Sequence, residues 1–372
     1  MPGHIRILTA VPICDGHDSA INTINLEFIR HGVEVVYLGF HRPVADIVRA
    51  AIQEDVRAVG ISSYNGGHVE FFRMVRRGLD RQGASHIGLF GGGGGTISEA
   101  DARLMKRQGT DEIFFPGVTL DSVVKFVLDR YRKPRRPGAD ASPDGRLARA
   151  LTRIEQRGSA RAKGKGRRKA RVIGITGPGG AGKTTLIDEL VLRYLRTFPA
   201  GRVAILSHDP SIVWDGALLG DRAAMIHSQH DRVYMRSLAT RGRAGGLSPA
   251  TDACLAYLCG EDFELIFVET VGTGQEALPF RAGAFDLKVL VMNPDYGARL
   301  QLQKIAMLDV ADVVVVNKSD QPRGRAAATE VGRRLVANGC GQRLVSASAC
   351  RHRDAGVDEL FQILTGAAEG PR

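Results

Sequence analysis

Short apolar runs of strand length alternate with amphipathic stretches along most of this chain. IRILTAV, VEVVYLG, AVGISSY, HIGLFG and EIFFPG are each followed by helical spacing, over 20–31, 43–55, 67–82, 97–108 and 119–131. Strands that are apolar on both faces and separated by helices predict a parallel sheet covered on both sides. Right-handed crossovers then favour a doubly wound, flavodoxin-like α/β domain with strand order 2-1-3-4-5. The alternation resumes with ARVIGITG and a helix from Lys183, followed by RVAILSHD, LIFVETVG, KVLVMN, DVVVVNKSD and QRLVSAS. This predicts a second doubly wound α/β domain. The halves share an architecture but no repeated motif.

Between the two patterns the periodicity weakens, apart from GRLARALTRIEQR, which reads as one helix. The reading is three segments: a first domain over 1–131, a basic linker over 132–169 and a second domain over 170–372. A length of 372 residues suffices for two hydrophobic cores.

Charge changes the picture less than its total suggests. The net +11 would ordinarily point to nucleic acid. Sixteen Lys and Arg against three acids between Arg130 and Arg171 give that stretch +13, and the remaining 35 basic and 37 acidic side chains leave −2. The excess is the linker's, so a nucleic-acid partner is not expected. Nor is a membrane, since no apolar run reaches the ~18 residues that span a bilayer. MPGHIRILTAV lacks the charged, apolar and cleavage regions of an export signal, and a cytoplasmic location is expected. Five scattered cysteines without a CxxC pair argue against a disulfide framework or a zinc site.

The strongest chemical motif is GPGGAGKT, residues 177–184, between an apolar strand and a helix. It has the G-x-x-x-x-G-K-[ST] form of a P-loop. Its loop residues Gly177, Gly179, Gly180, Ala181 and Gly182, with Thr185 beyond, can cradle phosphates on backbone N–H groups at a helix N-terminus. Lys183 can bridge β- and γ-phosphate oxygens, and the Thr184 hydroxyl can ligate Mg²⁺. NKSD, residues 317–320, follows DVVVV. The carboxylate of Asp320 can accept from the N1–H and 2-amine of guanine, a donor pair that adenine lacks. Asn317, Lys318 and Asp320, with Ser346 and Ala347 of the downstream SAS, point to GTP or GDP as the nucleotide.

VETVGTGQE, residues 268–276, carries Glu269 where most GTPases have Asp before the x-x-Gly. This resembles the G3E family of P-loop GTPases, known largely as metallochaperones. By that resemblance Glu269 and Gln275 belong to the catalytic switch, and Asp209 and Asp221 within DPSIVWDGALLGDRAAM help hold Mg²⁺. That segment departs from the family's usual DPS-x-x-GG at Ile212, Val213 and Trp214. MNPDYGARLQLQKIAMLDVAD resembles the additional switch of the cobalamin-linked members, where Lys304 matches a lysine implicated in GTPase activation.

A parallel sheet binds ligands at the carboxyl ends of its strands. In the first domain the loops there are DGHDSA, SSYNGGH and GGGGGT. Together they resemble the D-x-H-x-x-G … S-x-L … G-G signature of cobalamin-binding domains in adenosylcobalamin mutases. The resemblance implies that His17 is the lower cobalt ligand and that Asp15 accepts from its other ring nitrogen. It also implies that Ser62 and Tyr64 meet the displaced nucleotide tail, and that Gly91, Gly92 and Gly93 let that tail pass close to the backbone. Ala20 and Tyr64 stand where the signature has Gly and Leu; both fit the fused isobutyryl-CoA mutase subgroup. His68 reads as a loop or core-edge histidine, not a second cobalt ligand.

The resemblance covers nearly the whole chain in the order cobalamin domain, linker, G3E GTPase, and a TIM-barrel substrate domain is not expected within this chain. It implies a GTPase chaperone fused to the cobalamin subunit of an acyl-CoA mutase of isobutyryl-CoA or 2-hydroxyisobutyryl-CoA type. The expected cofactors are adenosylcobalamin and Mg²⁺. The expected partners are a separate mutase large subunit, a cobalamin adenosyltransferase and a second copy of the chain. A cobalamin-sensing GTPase without a mutase partner is the alternative. A nickel or zinc chaperone is disfavoured, because the ten histidines form no tract.

Overall fold

The computed structural model describes residues 4–13, 15, 19–133, 141–157, 170–211, 216–243, 245–272, 280, 283–297, 306–339 and 341–366. They fall into two units, one of 1–160, 210–223 and 235–241, the other of 161–209, 224–234 and 242–372.

In the first unit β1 (Arg6–Ala10), β2 (Glu34–Tyr37), β3 (Ala58–Ser62), β4 (Gly88–Gly92) and β5 (Glu112–Phe114) are all parallel. They lie in the order 5-4-3-1-2, the expected flavodoxin-like arrangement. The connections are α1 (Ser19–Arg30), α2 (Val44–Gln53), α3 (His68–Arg81) and α4 (Glu99–Arg107), and α5 (Leu120–Tyr131) follows β5. The pleat sends alternate side chains to opposite faces. Leu8, Val36, Val59 and Leu89 pack with residues of α2, α3 and α4, whereas Ile7, Val35, Ala58 and Phe90 pack with Phe28, Ile29, Val124 and Val127 of α1 and α5. Each fully buried large apolar side chain contributes roughly 1.5–3 kcal/mol. α4 starts with a reciprocal capping box between Ser98 and Asp101, an arrangement worth about 1 kcal/mol.

Two features differ from the sequence expectation. The helix read inside the linker, α6 (Pro143–Arg157), belongs to the first unit and buries Leu147, Ala148, Leu151 and Ile154. It packs on α2, so this part of 132–169 is a structural layer and not a spacer. Secondly, β8 (Ala217–Leu219) adds a sixth parallel strand beside β2, in a segment that reads in sequence as a switch loop.

A buried polar network holds that segment. Arg222 is fully buried, reaching the Glu54 carboxylate and the Gln53 side chain, each at 3.2 Å. The Ser237 N–H and hydroxyl donate to Glu54, Arg236 donates to Glu155, and Arg6 donates to both Glu34 and Glu155 at 2.9 Å. Burial alone would raise the Glu34 carboxyl, but the Arg6 and Arg241 guanidiniums outweigh it and hold it below the usual range.

The second sheet has the order β13-β12-β11-β6-β10-β7-β9. Its strands are β6 (Arg171–Thr176), β7 (Val203–Asp209), β9 (Val233–Ala239), β10 (Leu265–Glu269), β11 (Leu287–Met292), β12 (Val313–Val316) and β13 (Arg343–Ser346). The central strands are buried almost throughout, matching their unbroken apolar runs. α7 (Lys183–Thr197) follows β6; α8 (Asp221–Ala224), α9 (Thr251–Leu258), α10 (Gly324–Asn338) and α11 (Ala355–Thr365) complete the helices used below.

Candidate functional site

The loop from β6 to α7 is shaped by two close approaches. A Cβ on Gly177 would lie 2.0 Å from the Val291 carbonyl oxygen. Gly182 has φ +85°, and a Cβ there would lie 2.4 Å from Asn317 Nδ2. Side chains are excluded at both points, so the backbone curls into a P-loop. Lys183, 6% exposed, folds its ammonium over the loop and donates to the carbonyls of Gly177 at 3.0 Å and Pro178 at 3.2 Å. Thr185 is exposed on the first turn of α7.

Beside it, the Thr184 hydroxyl donates to Glu269 Oε1 at 2.7 Å, and Ser207 Oγ is 3.5 Å from Oε2. Glu269 is the last residue of β10 and Asp209 the last of β7, both buried. The donor set of a hydroxyl and two carboxylates suits a hard cation that prefers oxygen, so these side chains fit Mg²⁺. A Cβ on Gly272 would lie 2.6 Å from the Gly179 Cα, which presses the E-x-x-G turn against the P-loop.

His208 was not singled out by sequence, yet it supports Glu269. Its Nδ1 donates to the Glu269 carbonyl at 2.7 Å, and its Nε2 lies 2.8 Å from Thr251 Oγ1. Complete burial lowers its pKa to about 4 despite the hydrogen bond to Glu269, so the ring is neutral at pH 7.

After β12, Asn317 ties three segments together. Its Nδ2 donates to the Ala181 carbonyl at 2.8 Å, and its Oδ1 accepts from the Ala349 N–H at 3.0 Å. Asp320 accepts from the Ser348 hydroxyl at 2.8 Å, and its own N–H donates back to Ser348 Oγ at 3.2 Å. That hydroxyl is the main reason the Asp320 carboxyl sits below its ordinary pKa. Lys318 holds a left-handed φ of +57° in this turn.

The SAS motif is placed as follows. Ser346 ends β13, paired with Val316 and exposed, while the Ala347 N–H donates to the Val316 carbonyl at 2.9 Å. The residues that meet Asp320 and Asn317 are two further on, Ser348 and Ala349. The SASA repeat makes the two registers indistinguishable in sequence. Asp221 lies in the first unit at the start of α8. Gln275 and Lys304 lie outside the described residues.

In the first unit, Asp15 is completely buried. Its Oδ2 accepts from the N–H groups of both Tyr64 and Asn65, the latter at 3.2 Å, stapling the loop after β1 to the loop after β3. Ser62 ends β3 opposite Gly92. The glycines at the end of β4 and just beyond it have an internal reason of their own. A Cβ on Gly91 would lie 2.3 Å from the Ile61 carbonyl oxygen, and one on Gly93 would lie 1.9 Å from that of Ser63. The Tyr64 ring covers Gly94, where a Cβ would be 1.9 Å away. His68 opens α3, buried, with Nε2 3.4 Å from the Asp101 carboxylate. His17 lies outside the described residues. What is described fits a corrinoid with a nucleotide tail: a buried carboxylate beside the histidine's loop, and small residues at the carboxyl ends of β3 and β4.

A P-loop with a guanine-type Asn-Lys-x-Asp frame, in one chain with a flavodoxin-like domain, defines a GTPase-type protein fused to a second ligand-binding domain. Residues 147–363 match the family model described as Methylmalonyl Co-A mutase-associated GTPase MeaB, and residues 5–123 match that of the B12 binding domain. The chain belongs to this MeaB family of G3E-type GTPases, with a B12 binding domain ahead of the GTPase. It is 38% identical to the fused isobutyryl-CoA mutase of Geobacillus kaustophilus (strain HTA426), over 88% of this chain and 32% of that one. It is 36% identical to the fused isobutyryl-CoA mutase of Cupriavidus metallidurans (strain ATCC 43123 / DSM 2839 / NBRC 102507 / CH34), over 98% of this chain and 36% of that one. The chain thus spans about a third of the length of these curated relatives.

Proposed function

We propose that this protein is a GTP-hydrolysing chaperone that carries adenosylcobalamin and serves an acyl-CoA mutase of isobutyryl-CoA or 2-hydroxyisobutyryl-CoA type. The observation that carries the reading is the frame in which Asn317 joins the Ala181 carbonyl to Ala349, with Asp320 beside it. This frame joins the parts that would read guanine to the loop that would hold its phosphates. Asp320, kept ionised by Ser348, accepts from the base. Lys183 leaves the carbonyls of Gly177 and Pro178 for the more negative phosphate oxygens. Thr184, Glu269 and Asp209 would hold the cation through a hydroxyl and two carboxylates. Mg²⁺, when bound, neutralises charge developing on the phosphates.

In the first domain His17 would hold the cobalt, two residues from the buried Asp15. Adenosylcobalamin supplies radical carbon-skeleton chemistry when bound. GTP turnover would gate loading from an adenosyltransferase, or release of damaged cofactor. The substrate site belongs to a mutase large subunit, and the GTPase acts as a dimer.

The test is a titration of the full chain with adenosylcobalamin, followed by absorption. The expected result is a shift from the base-on spectrum that His17→Ala abolishes; a bound spectrum that stays base-on overturns His17 as the cobalt ligand, and no binding at all overturns the cobalamin reading. GTP hydrolysis is then measured with and without the large subunit and each acyl-CoA. Indifference of hydrolysis and of mutase activity to that subunit would favour a cobalamin-sensing GTPase.

A further inference from the structure

The Asp320 carboxylate is approached by two groups of the chain itself. The Ser348 hydroxyl donates to Oδ1 at 2.8 Å, and a terminal nitrogen of the Arg351 guanidinium lies 3.6 Å from Oδ2. Among the described residues no other carboxylate pairs with Arg351. Both approaches come from one turn, in which the Arg351 N–H donates to the Ser348 carbonyl at 2.9 Å and the Arg351 carbonyl accepts from the Asp354 N–H at 3.2 Å. The backbone thus stations Arg351 beside the carboxylate, while its side chain remains 65% exposed and free to leave. Neither the Asn-Lys-x-Asp frame nor the phosphate loop requires a cation at this point.

The base edge that Asp320 would read is itself a guanidine, with N1–H and the 2-amine as N–H donors on a single carbon. The Arg351 side chain is the same group in protonated form, a planar fork of N–H donors suited to a carboxylate. With Oδ1 engaged by Ser348, base and side chain contend for what remains, above all for Oδ2. We propose that Arg351 is an affinity-setting residue that holds Asp320 in place of the guanine edge, so that an incoming base must displace it. The nucleotide then binds less tightly than the pocket's own hydrogen bonds would hold it. An ion pair this exposed shifts an equilibrium only about threefold, so it tunes binding and does not block it. This rests on the guanine reading above and adds to it a competitor supplied by the chain.

The test is the equilibrium affinity of the full chain for GDP, wild type against Arg351→Gln, at low salt and in high salt. Glutamine removes the charge and leaves the backbone turn in place. Arg351→Gln should bind GDP about threefold more tightly at low salt. The two proteins should agree within about 1.5-fold near ~1 M salt, where charges are screened beyond about 3 Å. In the Asp320→Asn background, which has no carboxylate to pair with, Arg351→Gln should leave the affinity for xanthosine diphosphate within about 1.5-fold. GDP binding that is unchanged or weaker in Arg351→Gln overturns the assignment. An equal gain in the Asp320→Asn background overturns it as well, because the effect would not pass through the carboxylate. In either case a wild type that prefers GDP to ADP leaves the guanine reading intact; if wild type shows no such preference, both fall together.

Discussion

The Thr184 hydroxyl donates to the Glu269 carboxylate at 2.7 Å, joining the first turn of the P-loop helix to the end of the strand that carries the E-x-x-G turn. The contact sets side by side two oxygen groups that, in the function proposed above, would hold one cation. Thr184→Ala and Glu269→Gln should each lower the rate of GTP hydrolysis by about 10²-fold or more, the scale typical of losing a group that stabilises developing charge. The Mg²⁺ concentration needed for half-maximal rate should rise in both variants. A Mg²⁺ titration of steady-state hydrolysis checks this; an unchanged half-maximal concentration would remove these residues from the cation site.

Guanine recognition should follow the register set by Ser348. Ser348→Ala removes the hydroxyl that orients Asp320 and should weaken GTP about tenfold, whereas Ser346→Ala, at an exposed strand end, should change affinity less than about twofold. Asp320→Asn should shift preference toward xanthosine triphosphate. Competition binding with the two nucleotides decides, and equal effects of the two serine variants would contradict the assignment.

Arg222 and Glu54 are both completely buried, so neither can fall back on water when the other is removed. Glu54 also accepts from Ser237, and Arg222 donates to the Met235 carbonyl at 2.5 Å. Arg222→Ala should destabilise the first unit by about 3–5 kcal/mol, the usual result of stranding a buried charge. Urea unfolding followed by far-ultraviolet circular dichroism measures it. A loss below about 1 kcal/mol would mean that Glu54 finds other compensation.

Histidine titration should pull stability in opposite directions. His208 is held neutral by burial with a pKa of about 4, below the unfolded value of about 6.5, so stability falls as pH drops from about 6.5 to about 4. The full effect of that shift is roughly 3 kcal/mol. The His227 pKa is raised chiefly by its hydrogen bond to Asp188, 3.0 Å away. Its contribution is present below pH ~6.5 and is lost as pH rises through the folded value. His208→Gln should flatten the acid side of a melting-temperature profile, and His227→Gln the side above pH ~6.5. Glu34, held below its ordinary value by Arg6 and Arg241, stabilises above the unfolded carboxyl pKa and loses that effect as pH falls through its folded value.

The sequence by itself determined both parallel sheets, the P-loop and the Asn-Lys-x-Asp turn. It did so because buried strands read as unbroken apolar runs, and because phosphate and guanine recognition require particular residues at short spacing. What it left undecided depends on long-range pairing. VYMRSLA did not read as a strand, because Arg236 looks solvent-seeking until Glu155, 81 residues earlier, neutralises it inside the core. GALLG became β8 only because its three central residues meet the edge of β2. The SASA repeat allowed two registers, and the tertiary contact of Ser348 with Asp320 chose between them. His208 had no motif to mark it, since its role lies in a carbonyl 61 residues away. DGHDSA and its partner loops could be named from the chain, but the hold of Asp15 on the Tyr64 and Asn65 amides exists only once β1 and β3 lie side by side. Local chemistry is written in neighbouring residues; the groups that orient it are brought together by the fold.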